Sequence, residues 1–339
     1  MPSNTAAWLT AAKSNPLEVK TAAYTSPGDH EILVKNGAVA VNPVDWKLQD
    51  NALFPLDYPT ILGEDVAGTV VEVGSAVSRF QKGDRVLGYA QSLVTNKPSE
   101  GGFQEYTIIT DNLASQIPST LPFENAAVLP LGLSTAAAGL FQKEYLGLQH
   151  PSLDQKPIGQ TLLVWGGASS VGSNGIQLAV AAGYEVLTTA SPKNFDYAKK
   201  LGASQVFDYH SKTIVADLVE ALKGKTVAGV LDAVGADGAT QKSLDILAQG
   251  EGGKLVATVL RPPENTPAGT SAKRIQAFTI KDNEVGKAVY EDFLPQALAD
   301  GKFVAAPEPY ILGKGLENVQ AGFNIQKKGV SAQKVVITL

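Results

Sequence analysis

Residues 164–175 read VWGGASSVGSNG, a glycine-rich turn between two apolar segments. The run TLLVW (161–165) before the turn predicts a buried strand, and IQLAVAA (176–182) after it predicts a helix. Glycine suits a turn of this kind because a side chain there would block both a ligand's phosphates and the packing of the helix on the strand. The stretch therefore predicts a strand, turn and helix built to bind a phosphate group.

The turn differs from the stricter pattern GxGxxG. Gly167 and Gly172 meet part of the glycine requirement, but Ser169 and Ser170 replace glycine and add hydroxyl donors. Since N–H groups at a helix N-terminus attract anions, we expect this turn to bind the phosphates of a nucleotide. The alternative is an ordinary tight turn without a ligand.

Composition excludes several classes of function. The chain has 339 residues, 44% of them hydrophobic, and a net charge of −5. This size predicts two domains, and the scattered Lys and Arg residues predict no binding to nucleic acid or an anionic membrane. The N-terminal stretch has no targeting pattern, so a cytoplasmic protein with a small-molecule ligand is expected.

The metal-ligating residue types are scarce. There is no cysteine, which excludes disulfides and cysteine-zinc sites, and His30, His150 and His210 lie far apart without a paired motif. We therefore predict no metal site.

The pattern of apolar residues changes near the middle of the chain. Residues 31–117 consist of short strand-like runs and predict an all-β region. Apolar runs then alternate with helix-length segments, which predicts an α/β, doubly wound six-stranded parallel sheet of the Rossmann type. The predicted strands are 161–165, 184–190, 204–209, 227–234, 254–260 and 274–280. The final run QKVVITL predicts a return to the first domain.

The end of the second strand predicts the cofactor. An NAD site usually has an acid there for the ribose 2′-OH, whereas this chain has Ser191, Lys193 and Asn194. Hydroxyl, cation and amide groups suit a 2′-phosphate and favour NADPH, with Tyr209 as a further contact. Alternatively, Lys193 is only a solvated surface lysine.

The motifs NPVDWK (42–47), LGEDVAGTVVEVG (62–74), KGDRV (82–86) and VFDY (206–209), with the glycine-rich turn, occur in one order along the chain. With these motifs in this order, the chain resembles the medium-chain dehydrogenase/reductase superfamily. The likeness is closest to the zinc-independent quinone oxidoreductase and enoyl reductase branch, which includes CipB-like proteins and trans-acting polyketide enoyl reductases.

The resemblance implies a GroES-like catalytic domain (1–128 and 284–339), a Rossmann domain (129–283) and NADPH in the cleft between them. It also implies that Asn42 and Glu64 stand where zinc-dependent members bind their catalytic metal, which agrees with a metal-free enzyme.

Further site residues follow from the resemblance. Asp45 and Lys47 would face cofactor and substrate, and Thr135 would lie at the nicotinamide. The remaining cofactor contacts would be Gly167, Ser169, Ser170, Val171 and Gly172 at the pyrophosphate, Ser191, Lys193, Asn194 and Tyr209 at the 2′-phosphate, Val259 and Leu260 at the carboxamide, and Val330 and Ser331 from the returning segment.

The expected chemistry is hydride delivery from NADPH to a double bond activated by a carbonyl, in an enone, enal or enoyl thioester. Lys47 is the first candidate to stabilise the enolate, with Asn42 and Thr135 as neutral donors and Tyr58 as a candidate proton donor. Alternatively, Lys47 holds the cofactor ribose. Asn42 and Asp45 each have a purely structural alternative: Asn42 in a turn and Asp45 in a structural hydrogen bond.

Three functions remain open: the reductase of activated double bonds, an NADPH:quinone reductase, and a catalytically silent NADPH-binding accessory protein. The substrate would be a small molecule or a carrier-bound acyl chain, and the protein a monomer or homodimer.

Overall fold

The computed structural model describes residues 3–339 and divides the chain into two compact units. The first unit contains the described residues up to Leu131 together with Leu294–Gly301 and Ala305–Leu339, and the second contains Gly132–Phe293 and Lys302–Val304. Within the described residues, no helix has both the length and the apolar character needed to span a bilayer.

The strands are, in chain order, β1 (Asn4–Leu9), β2 (Glu18–Ala22), β3 (Glu31–Ala40), β4 (Thr60–Ile61), β5 (Asp65–Val73), β6 (Arg85–Tyr89), β7 (Tyr106–Thr110), β8 (Ala114–Gln116), β9 (Gln160–Trp165), β10 (Glu185–Ala190), β11 (Gln205–Asp208), β12 (Thr226–Asp232), β13 (Leu255–Thr258), β14 (Ser271–Arg274), β15 (Glu308–Lys314) and β16 (Gln333–Thr338).

The helices are α1 (Pro43–Asn51), α2 (Ser92–Thr95), α3 (Phe123–Ala126), α4 (Pro130–Phe141), α5 (Ser170–Ala181), α6 (Phe195–Lys200), α7 (Ile214–Leu222), α8 (Ala239–Gln249), α9 (Glu284–Gly286), α10 (Leu294–Ala299) and α11 (Val319–Lys328). A π-helical segment, Lys287–Phe293, joins α9 to α10.

The second unit is built on a six-stranded parallel sheet of order β11-β10-β9-β12-β13-β14. This order starts at a central strand and winds outward in both directions, which confirms the predicted doubly wound α/β fold. Inner strand residues such as Leu163, Leu187 and Val230 are fully buried because helices cover the sheet, which explains why these strands read as continuous apolar runs.

The sixth strand was wrongly predicted. The run 274–280 forms a 3₁₀ segment, Ala277–Asp282, and the strand is the polar stretch Ser271–Arg274 instead. This strand lies at the edge of the sheet and is largely exposed, so hydrophobic patterning could not find it. Ile275 and Ile280, the apolar residues behind the strand prediction, are both buried.

The first unit contains a three-stranded sheet, β2-β1-β4, and a seven-stranded sheet in which β15-β16-β3-β5-β6-β8 form a path and β7 pairs with β3. Strand β16 pairs antiparallel with β3, with Val336 opposite Ala40, so the C-terminal segment is part of the same sheet as the N-terminal strands. The core between these elements includes Ile32, Val66 and Phe323.

The predicted all-β region also contains helix α1, which corrects that expectation. Pro43 opens the helix, where its missing N–H costs nothing, and Asn42 is the N-cap. The backbone N–H of Asn42 donates to Asp45 Oδ2 at 2.7 Å, so an acid in the first turn caps the helix. The motif NPVDWK therefore forms the N-terminus of helix α1.

Candidate functional site

In the second unit the glycine-rich turn follows β9 at the carboxyl edge of the parallel sheet. Gly166 has a φ of +86°, which favours glycine, and a Cβ on Gly172 would collide with the carbonyl oxygen of Gly166. A Cβ on Gly167 would meet the side chain of Thr188. The three glycines are thus needed for the chain to turn tightly from strand into helix.

The serine pair has two different roles. Ser169 is the N-cap of α5, and its Oγ accepts a hydrogen bond from the Gly172 N–H at 3.0 Å. Ser170 begins the helix, so the N–H groups of Ser170 and Val171 have no intrahelical acceptor. These two N–H groups, with the helix dipole behind them, form a cradle for an anion.

The segment after β10 reaches the same edge of the sheet, because the strands are parallel. It begins with Ser191, whose Oγ accepts from Asn194 Nδ2 at 3.2 Å, and continues through a short 3₁₀ turn. Lys193 in that turn is exposed. The structure therefore brings Ser191, Lys193 and Asn194 together, with no acid at the end of β10 itself.

The neighbouring strand β11 is followed by Tyr209 and ends in a hydrogen-bonded pair, Asp208 and His210, that the sequence reasoning missed. Asp208 lies opposite Ala190, at the end of β10. Hydrogen bonds from the backbone N–H and the ring of His210 lower the pKa of Asp208, and the ring Nδ1 lies 2.9 Å from Asp208 Oδ1. Tyr209 is partly exposed and its ring contacts that of His210 at 4.0 Å.

Strands β12 and β13 end at a buried carboxylate, Asp232. Its Oδ1 accepts from the N–H groups of Val234 and Gly235, and its Oδ2 accepts from the hydroxyls of Thr240 and Thr258, at 2.6–3.1 Å. We call these five residues the Asp232 node. All four hydrogen bonds come from neutral donors, so the node fixes the loop after β12.

The predicted carboxamide contacts follow directly from β13. The Val259 N–H donates to the Asp232 carbonyl at 3.1 Å, and Leu260 comes next at the same edge of the sheet. Thr135 lies elsewhere in the unit, on α4, where it is 9% exposed. Its neighbour Ser134 forms a 2.7 Å hydrogen bond with the Tyr290 hydroxyl, which attaches α4 to the π-helical segment.

In the first unit, Asn42 and Asp45 belong to a buried polar group that also contains Glu64, Asp65 and Lys334, and we call it the Lys334 cluster. All five side chains are at most 4% exposed. The Lys334 ammonium lies 2.7 Å from Asp65 Oδ2 and donates to Asn42 Oδ1 at 2.5 Å. Asn42 Nδ2 donates to Asp65 Oδ2 at 2.7 Å, which closes a triangle.

The three carboxyl groups of this cluster have different surroundings. Asp65 Oδ1 also accepts from the Leu131 N–H at 2.5 Å, whereas Asp45 Oδ1 and Glu64 Oε2 are buried without a hydrogen-bond partner. Burial, and next the neighbouring carboxylates, raise the pKa of Glu64 well above its usual value. Burial raises the pKa of Asp45 to about 7, against the opposing hydrogen bond from the Asn42 backbone.

The other predicted residues of the first unit lie around α1 and the chain before β16. Lys47 is half-buried, with its Nζ 5.6 Å from the centre of the Trp46 ring. Val330 packs against the core, and Ser331 follows it, in the segment that leads to Lys334. Tyr58 is packed against the core with its hydroxyl buried and unpartnered, so it reaches no described group.

The side chains of the cluster do not fit zinc. The Asn42 amide is used by Lys334 and Asp65, and an ammonium already lies against the Asp65 carboxylate where a metal ion would meet a like charge. From Ser3 onward, no group of three or more His, Cys, Asp or Glu side chains is arranged to hold a metal ion.

Sequence reasoning missed the central residue of this cluster. The pattern of the sequence indicates Lys334 only as part of a predicted strand, and Asp65 only as part of the motif LGEDVAGTVVEVG. Lys334 directly precedes the apolar run VVI of a buried strand, and a lysine at a buried strand position could have indicated an internal ion pair.

Comparison with known proteins agrees with the fold. Residues 28–119 match the alcohol dehydrogenase GroES-like domain, and residues 170–294 match the zinc-binding dehydrogenase family. The chain is 54% identical over 336 residues to the zinc-binding alcohol dehydrogenase domain-containing protein cipB of Emericella nidulans, covering 99% of this chain and 98% of cipB. It is 44% identical to the trans-enoyl reductase himH of Aspergillus japonicus, covering 99% and 97% of the two chains.

The fold of the chain is also similar to the folds of solved structures. An alcohol dehydrogenase superfamily protein from Novosphingobium aromaticivorans superposes with a TM-score of 0.80 at 25% identity over 99% of both chains. The Escherichia coli quinone oxidoreductase complexed with NADPH superposes with a TM-score of 0.72 at 23% identity over the whole of both chains.

The chain belongs to the medium-chain dehydrogenase/reductase superfamily, with a GroES-like and a Rossmann-type domain, in the group that contains quinone oxidoreductases and enoyl reductases. It is an oxidoreductase, and its family points to a nicotinamide cofactor and a small-molecule substrate.

Proposed function

We propose that this protein is an NADPH-dependent reductase of double bonds conjugated to a carbonyl, as found in enones, enals and enoyl thioesters. The observation that carries the proposal is the carboxyl edge of the parallel sheet, where an anion cradle lies beside a strand end that has a serine, a lysine and an asparagine. The relative himH, a trans-enoyl reductase, supports the same reaction class.

Different residues of the sheet edge bind different parts of the cofactor. The N–H groups of Ser170 and Val171 hold the pyrophosphate, and Ser191, Lys193 and Asn194 hold the 2′-phosphate with Tyr209 beside them. Val259 and Leu260 hold the carboxamide. When bound, NADPH supplies the hydride.

The first unit supplies groups for the acceptor. An acceptor must already be polarised, because the donor set of the Lys334 cluster does not suit a Lewis-acid metal ion. Lys47 and Asn42 meet the negative charge that develops on the carbonyl oxygen, and Asn42 keeps one amide hydrogen beyond the one it donates to Asp65. Thr135, which belongs to the second unit, is the remaining neutral donor of the proposal. Asp45, Val330 and Ser331 are proposed cofactor contacts, and Asp45 also accepts from the Asn42 backbone N–H.

A panel of acceptors tests the proposal directly. Enals, enones, enoyl thioesters and quinones are incubated separately with NADPH and with NADH, and nicotinamide oxidation is followed by absorbance. We expect turnover of at least one conjugated alkene with NADPH, and no effect of a chelator. Turnover of quinones alone would favour the quinone reductase, and tight NADPH binding without any turnover would favour the accessory protein.

Lys193→Glu tests the cofactor assignment. The change removes a charge-assisted contact and adds a repulsion, so NADPH should bind at least about tenfold more weakly. The matched variant is Asp208→Asn, on the adjacent strand end. If NADPH is the cofactor, this variant keeps its affinity for NADPH; weaker binding of NADH to it would indicate that Asp208 holds a ribose hydroxyl instead. Titration of nicotinamide fluorescence measures both.

Three assignments stay predictions: the domain limits at 128/129 and 283/284, a carrier-bound acyl substrate, and a monomer or homodimer. Quinone reduction remains the second candidate, because the Escherichia coli protein with this fold is a quinone oxidoreductase.

A further inference from the structure

The end of strand β11 carries a carboxylate close to the residues proposed for the 2′-phosphate. In the second unit, Asp208 is the last residue of β11 and lies opposite Ala190, the last residue of β10. Ser191 follows Ala190, and the proposed function gives Ser191 to the 2′-phosphate. Neighbouring strands of a sheet are about 4.8 Å apart. An ionised aspartate this close would repel a phosphate unless its charge is compensated.

The glycine-rich turn, β10 and β11 form one continuous edge within this unit. The N–H of Gly166 donates to Thr189 Oγ1 and the N–H of Gly167 donates to the Thr189 carbonyl, both at 2.9 Å, which joins the turn to the end of β10. Strand β11 then pairs with β10 through Ala190 and Asp208. A dinucleotide whose pyrophosphate lies at such a turn has its adenosine ribose at the end of the second strand, and here that end adjoins β11.

His210 occupies the Asp208 carboxylate. Its backbone N–H donates to Asp208 Oδ1 at 3.0 Å, and its ring Nδ1 lies 2.9 Å from the same oxygen. These two bonds lower the pKa of Asp208, so the aspartate is an anion at neutral pH and its ring partner is a donor. Because both bonds come from one residue, they hold the imidazole against the end of β11.

The other side of the imidazole is open. His210 Nε2 has no hydrogen-bond partner within the part of the chain that the structure describes, and the side chain is 61% exposed. The ring lies 4.0 Å from that of Tyr209, and the Ser211 N–H donates to the Asp208 carbonyl at 3.0 Å, so the chain after β11 has a defined shape. A histidine nitrogen in this position donates to an anion once it carries a proton.

The charged groups around the ring have both signs. The charged and titratable side chains of the segments that pack around β11 are Lys193, Asp196, Lys199, Lys200, Asp208, Tyr209, Lys212, Asp217 and Glu220. Glu185 lies at the opposite end of β10 and is paired with Lys225. Asp217 accepts from the Thr213 hydroxyl at 2.9 Å. Asp208 and the Tyr209 ring are the two of these groups that contact the imidazole.

We propose that His210 is a specificity-determining residue for NADPH, which masks the Asp208 carboxylate and presents a protonated Nε2 to the 2′-phosphate. The inference rests on the proposed function. The imidazolium lies between two anions, and each of them favours the protonated ring over the neutral one. NADH has a neutral hydroxyl in place of the phosphate and gains nothing from this charge.

Two nucleotide fragments test the contact without any turnover. Adenosine 2′,5′-bisphosphate has the 2′-phosphate and adenosine 5′-monophosphate lacks it, and calorimetric titration of the protein measures the binding of each. His210→Phe keeps an aromatic ring beside Tyr209 but removes both ring nitrogens. It should bind the bisphosphate about tenfold more weakly, the scale of a lost charge-assisted hydrogen bond, and bind the monophosphate as the wild type does.

His30→Phe is the matched control. His30 is also an exposed histidine beside an aspartate, with Nδ1 4.0 Å from Asp111 Oδ2, but it belongs to the first unit. This variant should bind both fragments with wild-type affinity. An equal loss of bisphosphate binding in His30→Phe and His210→Phe would overturn the proposal.

Asp208→Asn tests the masking. In the wild type this change should leave bisphosphate binding nearly as it is, because His210 already compensates the carboxylate. In the His210→Phe background the same change should recover part of the lost affinity, because the carboxylate is unmasked there and repels the phosphate. The same effect in both backgrounds would contradict the masking.

Proton uptake provides a test that needs no variant. Histidine side chains titrate near pH 6.5 in general, so a ring that is protonated in the complex takes up a proton when the ligand binds at about pH 7.5. The phosphate, with a second pKa of about 6, can only release protons. Titrations of the bisphosphate in two buffers of different ionisation enthalpy measure the net transfer. We expect uptake by the wild type and none by His210→Phe; a wild type without uptake would overturn the proposal.

The outcomes separate the two claims. If the wild type binds the two fragments equally well, it has no preference for the 2′-phosphate, and the proposed NADPH dependence fails together with the role of His210. If the wild type prefers the bisphosphate and His210→Phe keeps that preference, only the role of His210 is wrong.

Discussion

The molecule contains two buried carboxylate sites that are built in opposite ways. In the Asp232 node of the second unit, one carboxylate accepts four hydrogen bonds from two backbone N–H groups and two threonine hydroxyls. In the Lys334 cluster of the first unit, three carboxyls share one ammonium, and an oxygen each of Asp45 and Glu64 has no partner.

The difference indicates what each site does. A fully satisfied carboxylate holds its neighbours in one arrangement and has no capacity left for chemistry. An under-compensated cluster costs stability, and burial raises the pKa values of Asp45 and Glu64. Perturbed titration of this kind is common at functional sites, so we assign the node to the scaffold and propose a role in the reaction for the cluster.

The largest expected effect is at the node. Asp232→Ala removes the acceptor of four buried donors, and because each unsatisfied donor costs about 1–3 kcal/mol, we expect a loss of about 4 kcal/mol in the free energy of unfolding. Urea denaturation measures it. Asp245→Ala, on helix α8 with one side-chain partner, is the control and should change stability little. An equal effect of the two variants would contradict the role given to the node.

A smaller loss is expected at the Lys334 cluster. Lys334→Met leaves the Asp65 charge buried without its cation, which should destabilise the protein by about 3 kcal/mol. The double variant Lys334→Met, Asp65→Asn removes both charges and keeps the acceptor for the Leu131 N–H, so it should recover part of that loss. Urea denaturation of both proteins decides this. A double variant less stable than the single one would show that the ion pair is not the dominant interaction.

The smallest expected effect, counted per unit of pH, is on the pH dependence of stability. The pKa of Asp45 in the folded protein, about 7, lies above its usual 3.8, so the folded state binds the proton more tightly than the unfolded state. The resulting stability is fully present below pH 3.8 and is lost as the pH rises towards 7, by at most about 1.4 kcal/mol per pH unit. Asp45→Asn should lower this slope between pH 5 and 7 in urea denaturation and leave the part that the raised pKa of Glu64 contributes. Asp50→Asn, on the same helix, should retain it.

Much of the second unit was predictable because its signals are local. Strands β9 to β13 are short apolar runs between amphipathic helices, and the turn at Gly167 and Gly172 has steric requirements that only glycine meets. The sixth strand was not predictable from hydrophobicity, since Ser271–Arg274 is exposed at the sheet edge. Helix α1 was missed because Asn-Pro is equally typical of a turn and of a helix start.

The sequence by itself determined the fold class, the glycine-rich turn and the serine, lysine and asparagine at the end of β10, since these depend on periodicity, steric demand and residue type within a few positions. Only the tertiary structure decided the Lys334 cluster. It joins Lys334 to Asn42 across 292 positions of the chain through the antiparallel pairing of β16 with β3. Which carboxyl of the cluster retains a proton depends on burial and on neighbouring charges, and both exist only once the strands have come together.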